Sequence, residues 1–105
     1  MKILFDQGTL VPLRRHLIEH TVATAYEQGW SKLSNGDLLK AAEEAGFQLF
    51  ITTDQNLRYQ QNLRERQMAI VVLLSTSWPK ISRRIDEIKD IVNVVSVGSY
   101  TEIPI

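Results

Sequence analysis

The chain has 105 residues, 44% of them apolar, with twelve Lys and Arg set against twelve Asp and Glu, a formal net charge of zero and no cysteine. A chain of this length falls in the range of one domain that buries roughly two-thirds of its unfolded surface, so a single domain over residues 1–105 is expected. Zero net charge disfavours binding to nucleic acid by bulk electrostatics, and the missing cysteines exclude a disulfide framework, thiol catalysis and cysteine-rich zinc sites.

In chain order, the first apolar run, Lys2-Ile3-Leu4-Phe5, reads as a strand that stops on Asp6. From Thr9 as an N-cap candidate, Pro12 in a first turn and Leu10, Leu13, Leu17 and Ile18 on one side predict a helix running to Glu19-His20. Thr21–Ala25 is a short strand candidate. A second helix begins near Ser34-Asn35, carries Leu38, Leu39, Ala42 and Ala45 inward and meets Gly46 as its stop. Residues 48–52 form the third strand, residues 55–66 a polar helix and residues 69–74 the fourth strand. Behind Ser77-Trp78-Pro79, the helical spacing of Ile81, Ile85, Ile88 and Val92 predicts a last helix, followed by a strand over residues 93–97. Ser99 to Ile105 has no usable period.

Strand-like runs alternating with helices predict parallel strands joined by crossovers. Phe47–Ile51 and Met68–Leu74 lack polar alternation, as strands covered on both faces do. The expected fold class is therefore α/β, a three-layer α/β/α sandwich around a central, mainly parallel sheet. No apolar run approaches the roughly 20 residues that cross a bilayer, so no membrane association and a cytoplasmic location are expected.

In such a sheet, ligands bind beyond the carboxyl ends of the strands. Asp6 lies just past the first strand, Asp54 just past the third, and Asp37 in the first turn of the helix preceding that third strand. Carboxylates brought within ~4–6 Å of one another disfavour ionisation unless a cation joins them. Mg²⁺ or Mn²⁺ suits oxygen ligands of this kind, with Asn56 as an additional amide oxygen. Each acid also has a purely structural role open to it: Asp37 in a capping box with Ser34, Asp54 as a helix cap, Asp6 as a turn residue.

Lys2-Ile3-Leu4-Phe5-Asp6-Gln7, Ser34-Asn35-Gly36-Asp37-Leu38-Leu39 and Leu49-Phe50-Ile51-Thr52-Thr53-Asp54-Gln55-Asn56-Leu57 together resemble the small bacterial PIN-like proteins, relatives of PIN-domain ribonucleases that include toxins of toxin–antitoxin pairs. The likeness extends over nearly the whole chain. It implies a PIN-like sandwich, metal-dependent endoribonuclease activity and Asp6, Asp37 and Asp54 as the acids that are catalytic and hold the metal. It also implies RNA as substrate, an antitoxin protein as possible partner and a homodimer. Where such relatives often carry a further acid, this chain has Asn56, which motivates the alternative of a PIN-like module that has lost catalysis and serves in binding or regulation.

Around these acids, Arg58 and Tyr59 follow Asp54 in a polar, basic stretch suited to phosphate contacts and stacking. Arg14 lies in the first helix and Ser75 beyond the fourth strand, and with Thr53 they complete the residues expected to meet substrate.

Overall fold

The computed structural model of the chain describes residues 1–6, 10–60 and 66–105. Five parallel strands form one sheet in the order β2-β1-β3-β4-β5. They are β1 (Lys2–Phe5), β2 (Thr21–Thr24), β3 (Leu49–Thr52), β4 (Ala69–Leu73) and β5 (Tyr100–Ile103). The α-helices are α1 (Asn35–Glu44), α2 (Leu57–Gln60), α3 (Trp78–Ile81) and α4 (Ile85–Val94).

Because successive side chains of a strand point to opposite faces, one apolar run feeds two cores. Ile3, Phe5, Leu49, Ile51, Val71 and Leu73 point to one face, where Leu13 and Leu17 and then Ile81, Ile88 and Val92 of α3 and α4 cover them. Leu4, Phe50, Ile70 and Val72 point to the other, under Leu38, Leu39 and Ala42 of α1 and Leu57 of α2. All four residues of β3 and all five of β4 are buried. This is the three-layer α/β/α arrangement, and it explains why those runs show no polar alternation.

Local signals set several boundaries. Ser34 adopts an extended backbone and its Oγ accepts the Asp37 N–H at 3.4 Å, so α1 starts where the cap lets it. Gly46 has φ +84°, the left-handed conformation that ends a helix without a Cβ penalty. Replacing Ser34 by Ala is expected to cost about 1 kcal/mol, read as a lower thermal midpoint. An unchanged midpoint would deny the hydroxyl any part in starting the helix.

Three expectations are corrected. The helix expected after β1 is a 3₁₀ helix, Val11–His16, with Pro12 in its first turn and the Leu17 N–H bonded to the Arg14 carbonyl at 3.0 Å. That three-residue spacing is tighter than an α-helix and is used in short pieces. Thr9, the N-cap candidate, lies outside the described residues. So do residues 61–65 of the expected polar helix, whose described part is α2. Residues 93–97 are not a strand: α4 runs through Val94, because Ile88 and Val92 continue one buried stripe that outweighs the β-branched composition. The last strand is instead β5, in the tail, after Gly98 turns the chain at φ +82°.

No helix among the described residues is long and apolar enough to cross a membrane.

Candidate functional site

The strand order places β1 between β2 and β3. Chain connections leave β1 and β3 in opposite directions, which opens a crevice beyond their carboxyl ends. Asp6 and Asp54 are the acids that leave these two strands.

Register brings them together. Phe5 pairs with Ile51, and the Asp6 N–H donates to the Ile51 carbonyl at 3.3 Å. The next residue of β3, Thr52, is fully buried. Its hydroxyl donates to Asp6 Oδ2 and accepts the Asp54 N–H at 3.0 Å. One hydroxyl thus links the Asp6 carboxylate to the Asp54 backbone, using both its donor and an acceptor lone pair. Asp54 is held further: Oδ1 accepts the Asn56 N–H at 3.0 Å and Oδ2 accepts from the Asn35 side-chain amide at 3.0 Å. The Asn35 contact brings the first turn of α1 to the same edge.

Asp37, two residues on, is exposed, and its backbone is engaged by the Ser34 cap. Among the described residues there is no group of three or more His, Cys, Asp or Glu side chains that could hold a metal ion. The arrangement is therefore a linked pair, Asp6 and Asp54, with Thr52 between them and Asn35 behind. Asn56 contributes its backbone to Asp54 and exposes its side chain, and Thr53 is half-buried.

The basic residues expected to meet phosphate are already engaged. Arg14 grips both oxygens of Glu27, at 3.2 Å to Oε2, and this guanidinium together with the Thr24 N–H holds the Glu27 carboxyl below the usual carboxylate value. Arg58 donates to Glu102 at 3.3 Å and to the Tyr59 hydroxyl, and its guanidinium lies 4.6 Å from the Tyr59 ring centre. Tyr59 itself is 72% exposed. The Tyr100 hydroxyl donates to Glu102 at 2.9 Å; burial first, then that hydrogen bond, pushes its pKa up to about 12. Ser75, past β4, accepts the Ser77 N–H at 3.0 Å and so shapes its own loop.

Thr52 and Asn35 are the polar residues that sequence reasoning passed over. A threonine two residues before an acid, at the end of a strand, lies on the same face as that acid, and this spacing is the signal for Thr52.

Set against family models, curated proteins and solved structures, the chain matches none.

Proposed function

We propose that the β1/β3 edge is a divalent-cation site and that the protein is a PIN-like endoribonuclease hydrolysing phosphodiester bonds of RNA. The observation carrying this reading is the Thr52 hydroxyl bonded at once to Asp6 and to the Asp54 backbone, at the switch point of a parallel sheet. The carboxylates of Asp6 and Asp54, one held by the Thr52 hydroxyl and the other by the Asn35 amide and the Asn56 N–H, are oxygen donors, which suit Mg²⁺ or Mn²⁺ better than a softer metal.

Asp6 and Asp54 would hold the ion, with Asp37, in the first turn of α1, as the third acid of the reading. A cation there supplies positive charge against a phosphate and lowers the pKa of a water. The residues of the chain do the rest: Thr52 and Asn35 orient the carboxylates, and Arg58 and Arg14, released from Glu102 and Glu27, offer guanidinium groups to phosphate oxygens. Tyr59, Thr53 and Ser75 would complete the contacts to RNA in this reading. Membership in a toxin–antitoxin pair, a homodimer and a cytoplasmic location belong to the same reading.

The test is cleavage of labelled single-stranded and structured RNA by the purified chain. Products that form in Mn²⁺ or Mg²⁺ and cease with EDTA support the assignment; intact RNA at millimolar Mn²⁺ defeats it.

A second reading is a PIN-like module without catalysis. It is favoured by the lack of a three-group cluster among the described residues and by Asn56 at a place where PIN-like proteins often have an acid. Thermal melting with added cation separates binding from its absence. A competent site gains about 2.7 kcal/mol at a cation concentration 100-fold above Kd, and a melting temperature that ignores millimolar Mn²⁺ would favour the binding module.

A further inference from the structure

The β2 side of the sheet is closed unevenly. β2 is an edge strand, and its Thr21 and the following Ala25 donate N–H groups to Met1 and Phe5 carbonyls of the β1 segment at 3.0 and 2.9 Å. In a parallel ladder alternate residues face outward, so Val22 and Thr24, and His20 just before the strand, turn their N–H groups to the open edge. Two of the three N–H groups are covered from within. The His20 N–H donates to the Leu17 carbonyl at 3.0 Å, and the Thr24 N–H to Glu27 Oε1 at 2.9 Å. Glu27 is itself clamped, by Arg14 on both oxygens and by its own N–H donated to Thr24 Oγ1 at 3.1 Å. Val22 stands between these guarded positions.

Along the same edge runs a groove of about 480 Å³, bordered by Val11, Arg14, Arg15, Ile18, His20 and Val22. Its lining, among the described residues, holds two arginines and no acid. Val11 is 57% exposed and Ile18 83% exposed, more than large apolar side chains need be. Among the described residues Arg15 has no ion-pair partner.

We propose that this groove docks an extended, acidic segment of a partner protein, which lies beside β2 at Val22, rests apolar side chains on Val11 and Ile18 and places a carboxylate on Arg15. Main-chain pairing supplies affinity in this mode and the flanking side chains supply specificity. Glu27 displays the chemistry in miniature: one carboxylate satisfies an outward N–H of β2 and an arginine fork together. A partner's acid beside Val22 and Arg15 repeats that pattern one rung along.

Charge decides between occupants. A second copy paired through β2 about a two-fold axis at Val22 brings Arg15 of both copies, the groove arginine not neutralised by Glu27, into one groove, where like charges oppose pairing. RNA gains nothing from an open main-chain rung, and the described groove lining has no Phe, Tyr or Trp on which a base stacks. An acidic polypeptide uses every feature present. This docking edge shares only Arg14 with the residues assigned to RNA and includes neither Asp6 nor Asp54, and its test needs neither cation nor RNA cleavage.

The experiment uses the full chain in EDTA and a fluorescein-labelled nonapeptide of alternating glutamate and valine, followed by anisotropy. Controls are the same peptide with lysine for glutamate and a labelled oligouridylate of equal length. Saturable binding of the acidic peptide is expected, with amide shifts in NMR spectra centred on Val22. Arg15→Glu and Ile18→Ser, both at exposed positions, are each expected to weaken it about tenfold with an unchanged circular dichroism spectrum. No binding, equal affinity for the lysine peptide, unaltered binding by both variants, tighter binding of the oligouridylate in the groove, or self-association of the free chain through Val22 would each overturn the proposal.

Discussion

Asp54→Asn is expected to lower cation-dependent RNA cleavage by about three orders of magnitude, the upper end of what losing one transition-state contact costs, while the domain stays folded. Asp54 Oδ1 accepts from the Asn56 N–H and Oδ2 from the Asn35 amide. An asparagine has the same shape but one acceptor oxygen instead of two and no charge, so one of these hydrogen bonds is lost, at about 1 kcal/mol. Against a stability of about 5–15 kcal/mol the fold survives that loss, whereas the cation loses half of the charge that attracts it. Thr52→Val is the companion change. It keeps the volume of a fully buried side chain and removes the hydroxyl that links the acids, and it is expected to weaken cation binding about 10- to 100-fold, as loss of a ligand-orienting partner does. Cleavage rates at saturating Mn²⁺, measured beside thermal melts of the same preparations, check both. Parental rates in the Asp54→Asn variant would remove this carboxylate from the chemistry.

The largest effect on stability is expected from Phe50→Ala. Phe50 is 1% exposed, sits on β3 between β1 and β4, and packs under α1 with Leu4, Ile70 and Leu39. Removing such a ring leaves a cavity that the two neighbouring strands hold open, at a cost of about 3–5 kcal/mol and a melting temperature lower by more than about 12 °C. Tyr59→Ala, at a position 72% exposed, is expected to stay within about 0.5 kcal/mol of the parent. Urea titration of the two variants measures the contrast, and a Phe50→Ala loss under about 1 kcal/mol would mean that this face of the sheet is not the packed layer described here.

The elements most legible in the amino-acid sequence were those with a physical start and stop. β1 is an apolar run closed by Asp6, α1 is bracketed by Ser34 and Gly46, and β3 and β4 are runs too apolar to face water on either side. The end of the chain was misread for two linked reasons. Residues 93–97 are rich in valine, yet Val92 and Ile88 already commit that segment to the α4 stripe, and burial outweighs intrinsic preference. β5 hides because it is an edge strand: among Tyr100–Ile103 only Ile103 is fully buried, so no apolar alternation marks it. The site divides similarly. Asp6 and Asp54 were visible as acids at strand ends, because topology fixes where strand ends lead. Thr52 as their bridge depends on the pairing of Phe5 with Ile51, a register that single-chain periodicity does not encode. Asp37 was visible as an acid in a helix's first turn, but that position serves the Ser34 cap equally well, and it is the neighbouring Asn35 that reaches Asp54.

Both readings of the crevice depend on whether a cation settles between Asp6 and Asp54, and paramagnetic broadening by Mn²⁺ in amide NMR spectra answers this directly. Substoichiometric Mn²⁺ should erase the resonances of Asp6, Thr52 to Asn56 and Asn35 first, with the acid-bearing α4 unaffected and the effect lost in Asp54→Asn. Broadening centred instead on Asp86, Glu87 and Asp90, or spread evenly over the molecule, would contradict the assignment.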